Sequence, residues 1–352
     1  MPYSAPWSPV HDHLHQTIRK QQLLEPGQRL LIAVSGGQDS LCLAQLLVDL
    51  QPKWAWALAI AHCDHRWHAD STTAVQHVQR QAEIWRLPFW LKTAPDAVAH
   101  DQREATARSW RYQALTELAE TQGYGCVVTG HTASDRAETL LHNLLRGSGL
   151  DGLQALSWRR SLTPDIQLVR PLLAMTRAET GEFCQRVSLP VWHDPSNQNL
   201  HYTRNRIRHE VLPLLRDRFN PNVESTLAQT AELMRADVDY LETEAEKICR
   251  EVVLSGAGDG ENHATLHWDS SQEKHLGEIV RLERHLLQNV PLALQRRVIR
   301  RCLLQLLPEA PRYRHIEKLV GLIDAPNKSQ TDPLPGGAIA CAEGRWIVIY
   351  NP

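Results

Sequence analysis

Six consecutive residues, Ser35-Gly36-Gly37-Gln38-Asp39-Ser40, have the composition of a phosphate cradle. They stand between the apolar run 30–34 and an amphipathic stretch, so they read as a strand-to-helix turn. Glycines let backbone N–H groups approach anionic oxygens, a helix N-terminus adds partial positive charge, and the Ser35 and Ser40 hydroxyls can donate further hydrogen bonds. A plain turn with Ser or Asp capping the helix explains the same residues without a ligand. No lysine follows the glycines, which excludes the GxxxxGK-Ser/Thr pattern of the common nucleotide triphosphatases. A second segment, Thr129-Gly130-His131, ends a later apolar run and leads into a helix where Asp135, Glu138 and Thr139 share one face near its positive end. In an open parallel sheet a ligand sits at the carboxyl ends of strands where the winding direction reverses. If the first strand is central, the loops after strands one and four flank that crevice, and His131, Asp135 and Glu138 face a nucleotide bound by the first loop.

Three basic stretches accompany these acids. Arg108 and Arg111 stand three apart on the helix before the fourth strand, where they could touch phosphate or simply pair with Glu104. Asp194, Ser196 and Asn197 precede Tyr202, Arg204, Asn205, Arg206 and Arg208. Guanidiniums for phosphates, an aromatic ring for stacking and amides for base edges are what single-stranded RNA recognition requires, although a bare run of this kind also suits a solvated helix. Arg296, Arg297, Arg300 and Arg301 form a further patch near Arg312 and Arg314. Arg297, Arg300 and Arg301 share one face that could follow an RNA stem, or could equally meet only water. Three histidines and two aspartates in the span 61–71 suggest a metal, but no second cluster completes such a site.

The elements that must hold these residues follow from periodicity. Short apolar runs near 30–34, 55–61, 89–93, 126–130 and 167–169 alternate with amphipathic stretches at about 40–50, 71–87, 103–122 and 134–146. That is the pattern of an α/β, doubly wound, mostly parallel five-stranded sheet. After about residue 212 strands are expected to vanish: 222–251 reads as one long helix, a polar Gly-rich stretch occupies 255–263, and helical patterns resume at 274–289 and 291–307. The last residues alternate and turn like a small hairpin. The expected division is an N-terminal extension over 1–28, a nucleotide domain over 29–212 and a helical domain over 213–352.

Bulk properties set limits. The 352 residues are 42% hydrophobic and 22% charged with net charge −2, ordinary for a globular protein, so any attraction for nucleic acid must be local. Seven cysteines without a CxxC pair read as reduced, buried thiols of a cytosolic protein and argue against zinc, an iron–sulfur cluster or a disulfide framework. No run approaches the about 20 apolar residues of a membrane span, and the opening residues lack the basic and apolar regions of a signal peptide. Eleven tryptophans are unusual and suggest no function.

SGGQDS matches the pyrophosphate-loop motif of the N-type ATP pyrophosphatases, several groups of which share it. The rest of the chain narrows the choice. Over about residues 29–218 it resembles the tRNA(Ile)-lysidine synthetase family through five ordered blocks: SGGQDS, HCDHRWHADS, GHTASDRAETLLHNLLRGSGLDGL, VRPLLAMTRAE and HDPSNQNLHYTRNRIRHEVLP. The resemblance implies an adenine nucleotide alpha hydrolase-like, Rossmann-like fold. It implies a cytoplasmic ligase that uses ATP and magnesium to adenylate the C2 oxygen of the wobble cytidine, position 34, in the CAU-anticodon tRNA(Ile). The ε-amine of L-lysine then displaces AMP, and decoding changes from AUG to AUA. By the same resemblance Ser35, Gly36, Gly37, Gln38, Asp39, Ser40, His62, Gly130 and His131 hold the nucleotide, and Asp39 helps hold magnesium. Asp39, His131, Asp135, Glu138 and Arg108 are the catalytic set, with roles unapportioned, and the RNA set is Arg146, Tyr202, Arg204, Asn205, Arg206, Arg208, Arg297 and Arg301.

Two departures qualify the match. His68 stands where the family usually has arginine, which weakens any ionic role there. The chain ends near the close of the family's middle domain, so the tRNA body is expected to meet the helical domain alone or a second subunit in a homodimer. A tRNA thiolase using the same adenylation, or a nucleotide- or RNA-binding module without chemistry, are the alternatives. The missing CxxC counts against the first, and acids beside a phosphate site count against the second.

Overall fold

The computed structural model describes residues 7–67, 71–100, 104–194, 198–255 and 279–350. The chain forms two compact units, Met1–Arg235 and Ala236–Pro352. The first runs α1 (Pro9–Lys20), β1 (Arg29–Ala33), α2 (Gln38–Trp54), β2 (Ala57–Asp64), α3 (Ser71–Trp85), β3 (Phe89–Thr93), α4 (Asp96–His100), α5 (Glu104–Gln122) and β4 (Cys126–Thr129). It continues through α6 (Ala133–Leu145), α7 (Leu150–Leu153), β5 (Arg159–Ser161), β6 (Gln167–Val169), α8 (Arg177–Arg186), α9 (Thr203–Arg206), α10 (Leu212–Arg218) and the start of α11 (Val223–Val252), with a π-helical turn at Ile207–Val211.

Its sheet has the order β3-β2-β1-β4-β6-β5, parallel except for β5, which lies antiparallel to β6 at one edge. Both faces are covered, and the strands show it. Leu30 and Ile32 pack with Leu43, Leu46 and Leu47 on one side, whereas Leu31 packs with Leu115, Leu118 and Leu168 on the other. All three strand residues are fully buried, worth about 1.5–3 kcal/mol each, which holds the strand against the conformational cost of the turn that follows it. The winding reverses between β1 and β4, so the loops after these two strands open side by side. The five expected strands and four expected helices are all present. The sixth strand, β5, is a correction: Arg-Arg-Ser carries no apolar alternation, all three residues are exposed, and only pairing with β6 makes it a strand.

The N-terminal helix is part of this core. Leu14 and Ile18 join it, and His11 meets Asp49 on α2 at 2.9 Å while its Nδ1 accepts the Ser8 N–H. Three tryptophans have packing duties: Trp54 stacks on Trp56, whose indole donates to Glu25 O, and Trp85 donates to Gln45.

The second unit contains a four-stranded antiparallel sheet, β7 (Val253–Ser255), β8 (Val280–Glu283), β9 (Ile339–Glu343) and β10 (Trp346–Tyr350), in the order β7-β8-β10-β9. The helices α12 (Arg284–Gln288), α13 (Leu292–Leu306) and α14 (Tyr313–Leu322) accompany it, and Ile299, Cys302, Leu303 and Leu319 pack with Leu282 and Ile347. The terminal hairpin is β9 and β10. The expectation of no further strands, and of a helix over 274–289, is corrected by β7 and β8. Val280 and Leu282 alternate as a strand, but with Leu286 and Leu287 they also fit a helical period, and only the sheet decides between them. Of the Gly-rich stretch only Ser255 falls within the described residues. No helix among them is long and apolar enough to cross a membrane.

Candidate active site

The loops after β1 and β4 border a cavity of about 440 Å³. On the β1 side the turn is held by its own hydroxyls: Ser40 Oγ donates to Gly37 O at 2.9 Å, and the Ser35 N–H donates to Ser40 Oγ at 3.2 Å. Gly36 has φ +88°, the left-handed region that favours glycine, and its carbonyl accepts the Trp192 N–H at 2.9 Å. Helix α2 starts at Gly37 without a side-chain cap, so its first backbone donors are available to an anion. Helix α6 differs: Thr132 and Asp135 cap it reciprocally, and the Asp135 carboxylate accepts the Thr132 N–H at 2.8 Å. Of the two helices, α2 is therefore the one whose first turn is open to an anion. Gly130 lets the two loops meet, because a Cβ there would lie 2.7 Å from Asp39 O.

Asp39 lies on the first turn of α2. Thr180 on α8 donates to Asp39 Oδ1 at 2.5 Å, and Arg177 approaches Oδ2 at 3.2 Å. Burial raises the Asp39 pKa above its ordinary value, against the pull of Arg177. A buried carboxylate in that condition is short of positive charge. Its hard oxygens suit a magnesium ion, which binds through one or two carboxylates plus substrate phosphates. The Gln38 amide donates to Arg177 O at 2.6 Å and Thr180 Oγ1 at 2.9 Å, while Gly181 leaves room for it.

On the β4 side burial lowers the His131 pKa to about 3, so the ring is neutral near pH 7, and its Nδ1 lies 2.9 Å from Thr129 Oγ1. Burial pushes Asp135 up, but His131, Arg204 and Arg208 outweigh it and leave its pKa depressed. Glu138 is 1% exposed and does not line the cavity. Arg208 donates Nε to its Oε1 at 2.5 Å and Nη2 to its Oε2 at 2.8 Å, and Arg204 Nε reaches Oε2 at 3.2 Å. His62, at the end of β2, gives its Nδ1 proton to Val34 O at 2.7 Å and borders the cavity, with its pKa lowered by burial.

The cavity thus gathers Ser35, Gly37, Gln38, Asp39, Ser40, His62, Gly130, His131 and Asp135, and from the fifth sequence block Tyr202, Arg204, Asn205 and Arg208. Gly36, Arg108, Arg146 and Arg206 lie off its wall: Arg108 rests over the Tyr112 ring, and Arg146 is exposed at the end of α6. Arg297 and Arg301 belong to the second unit, where both pair with Glu242 and Arg297 is buried. Residues 68, 196 and 197 and the Glu104 side chain lie outside the described residues. Reading the sequence for function missed Arg177 and Thr180. Arg177 sits inside VRPLLAMTRAE and Thr180 directly follows it, and nothing in that stretch alone shows that they reach Asp39, more than 130 positions earlier in the chain.

Residues 9–215 match the PP-loop domain family, and residues 282–346 match the TilS substrate binding domain. A tRNA(Ile)-lysidine synthase from Nostoc sp. is 55% identical over 345 residues, with 98% of each chain covered. Another from Synechocystis sp. is 47% identical over 347 residues, with 97% of each covered. The chain belongs to the tRNA(Ile)-lysidine synthase family. As a member of that family it is a ligase, and its PP-loop domain makes it a user of ATP. Among solved structures the U34-tRNA thiolase NcsA from Methanococcus maripaludis, with its 4Fe–4S cluster, aligns at a TM-score of 0.54 and 14% identity, covering 64% of this chain and 78% of that one. The likeness is one of fold.

Proposed function

We propose that this chain ligates L-lysine to C2 of the wobble cytidine, position 34, in the CAU-anticodon tRNA(Ile), in the cytoplasm, by way of an adenylated intermediate. The observation that carries the reading is the uncapped start of α2 facing Asp135 and His131 across one cavity. In the first step the C2 oxygen of the cytidine attacks the α-phosphorus of ATP and pyrophosphate leaves. In the second the lysine ammonium loses a proton to solvent, the resulting amine attacks C2, AMP leaves with the oxygen, and the nitrogen releases one more proton to solvent and keeps its last N–H. The backbone of 35–40 holds the triphosphate, and Asp39 holds magnesium, which when bound neutralises charge on the phosphates.

The depressed pKa of Asp135 makes it a weak base but a good partner for the lysine ammonium before attack. Neutral His131 suits a hydrogen bond to the adenylate. Glu138 acts by fixing Arg204 and Arg208, and with them Asp135, while Tyr202, Asn205, Arg206 and Arg146 contact RNA. Residues 29–212 carry the ATP chemistry. Residues 213–352, alone or with a second copy of the chain, hold the tRNA body, where Arg297 and Arg301 act as a braced patch. Sulfur transfer lacks support: Cys63, which borders the cavity, has a thiol pushed up to about 11 by burial.

The test is incubation of the purified protein with ATP, magnesium, radiolabelled lysine and a CAU-anticodon tRNA(Ile) transcript. Lysine label on the tRNA is the expected result. AMP formation without label would overturn the reading.

A further inference from the structure

The charges around the cavity fall into two sets. Asp39 faces Arg177, and Asp135 and Glu138 face Arg204 and Arg208, so these guanidiniums are neutralised where they stand. At Tyr112 the balance is different. The Arg108 and Arg160 guanidinium carbons lie 5.6 and 5.4 Å from its ring centroid, Arg170 hydrogen-bonds its phenol, and Arg111 is its chain neighbour. Among the described residues the ion pairs to carboxylates are made by other cations, such as Lys92, Arg136 and Arg177, and by none of these four. The phenol registers the field: burial raises its pKa, yet Arg108, Arg170 and Arg111 outweigh burial and leave it lowered.

The four cations differ in duty. Arg170 is 2% exposed and donates to Ser157 O at 2.7 Å, so it braces the fold. Arg160 is exposed on the edge strand β5. Charge on an edge strand guards against pairing with other chains, but that duty needs no aromatic partner. Strand alternation sends Arg159 to the opposite face from Arg160, which alone lies over Tyr112. Tyr112 and Arg111 border the cavity that contains the phosphate loop. The ATP phosphates are served by α2 in the reading above, so this positive charge, which no carboxylate among the described residues pairs, is left for a second anion.

We propose that Tyr112, Arg108 and Arg160 form the platform on which the single-stranded RNA segment lands as it delivers its base to the cavity, with the two guanidiniums taking a backbone phosphate beside the reacting nucleotide. This rests on the reading of the reaction given above. Arg160 adds a contact on β5, an element with no sequence signature of its own.

The experiment measures binding of a fluorescently labelled anticodon stem-loop RNA by anisotropy over a series of salt concentrations, and of ATP by calorimetry, for the full chain and its variants. Arg160→Ala should weaken RNA binding roughly tenfold, the equivalent of one charge-assisted contact, and should reduce the salt slope by about 0.7. Arg160→Glu should weaken it further, Arg159→Ala should stay near the parent protein, and ATP affinity should not change in any of them. Unchanged RNA binding by Arg160→Ala would overturn the platform. So would an equal loss in Arg159→Ala, which indicates diffuse charge, or a loss of ATP affinity, which makes this a nucleotide subsite. A parent protein that neither binds nor lysinylates the RNA would instead defeat the proposed function.

Discussion

Replacing Arg208 with alanine should destabilise the first unit far more than the loss of an exposed cation does. The Glu138 side chain is 1% exposed, and its two oxygens take hydrogen bonds of 2.5 and 2.8 Å from Arg208 and 3.2 Å from Arg204. The variant removes the first two and leaves a buried anion held by a single arm. An exposed ion pair is worth about 0–1 kcal/mol, whereas breaking a buried one costs about 3–5 kcal/mol because the survivor's desolvation goes uncompensated. Arg204 stays, which sets the expected loss near the lower end, about 3 kcal/mol. Adding Glu138→Gln removes the stranded charge but keeps the shape and an acceptor for Arg204, so the double variant should regain about 2 kcal/mol. The assay is urea unfolding of the parent, both single variants and the double variant, followed by tryptophan fluorescence. Nine of the eleven tryptophans precede residue 236, so the signal reports chiefly the first unit. A coupling energy under about 0.5 kcal/mol would place the pair with ordinary surface contacts and refute the reasoning.

Two further outcomes are expected. Gly130→Ala puts a methyl group 2.7 Å from Asp39 O, so the phosphate loop must shift. ATP affinity should fall at least tenfold while stability falls by only about 1–3 kcal/mol, and calorimetry showing unchanged ATP binding would remove the close approach from the account. Asp39→Asn should abolish pyrophosphate release yet leave the ligand-free protein as stable or more so near pH 7. The Asp39 pKa is raised in the folded state, so its ionisation reduces stability as pH rises from the unfolded value of 3.8 through the folded one. Any gain in thermal midpoint should therefore shrink as pH falls toward 4, and a lower midpoint at neutral pH would contradict the sign.

The strand-turn-helix around Ser35–Ser40 was legible because local rules suffice there: an apolar run long enough for a strand, glycines at the turn, and an amphipathic stretch after it. The same holds for the loop at Gly130. Asp135 lines the cavity as its place in the chain suggests, since only six positions separate it from the end of β4 at Thr129. Glu138 could not be resolved this way. Its helix face was readable, but what faces it was not, and Arg208 comes from 70 positions downstream. The basic run 204–208 likewise looked free for RNA, because a sequence shows charges without their partners.

Sequence alone determined the parallel sheet, the position of the phosphate turn on it and the family, since apolar period and contiguous motifs are properties of short stretches. Tertiary structure decided which charges remain available. It closed Arg204, Arg208 and Arg177 onto carboxylates, made a strand of Arg159–Ser161, and set Arg160 over Tyr112 with no ion pair to a carboxylate among the described residues. The physical reason is range: a turn is specified by its own neighbours, whereas the neutralisation of a charge depends on whatever the fold brings within a few ångströms of it.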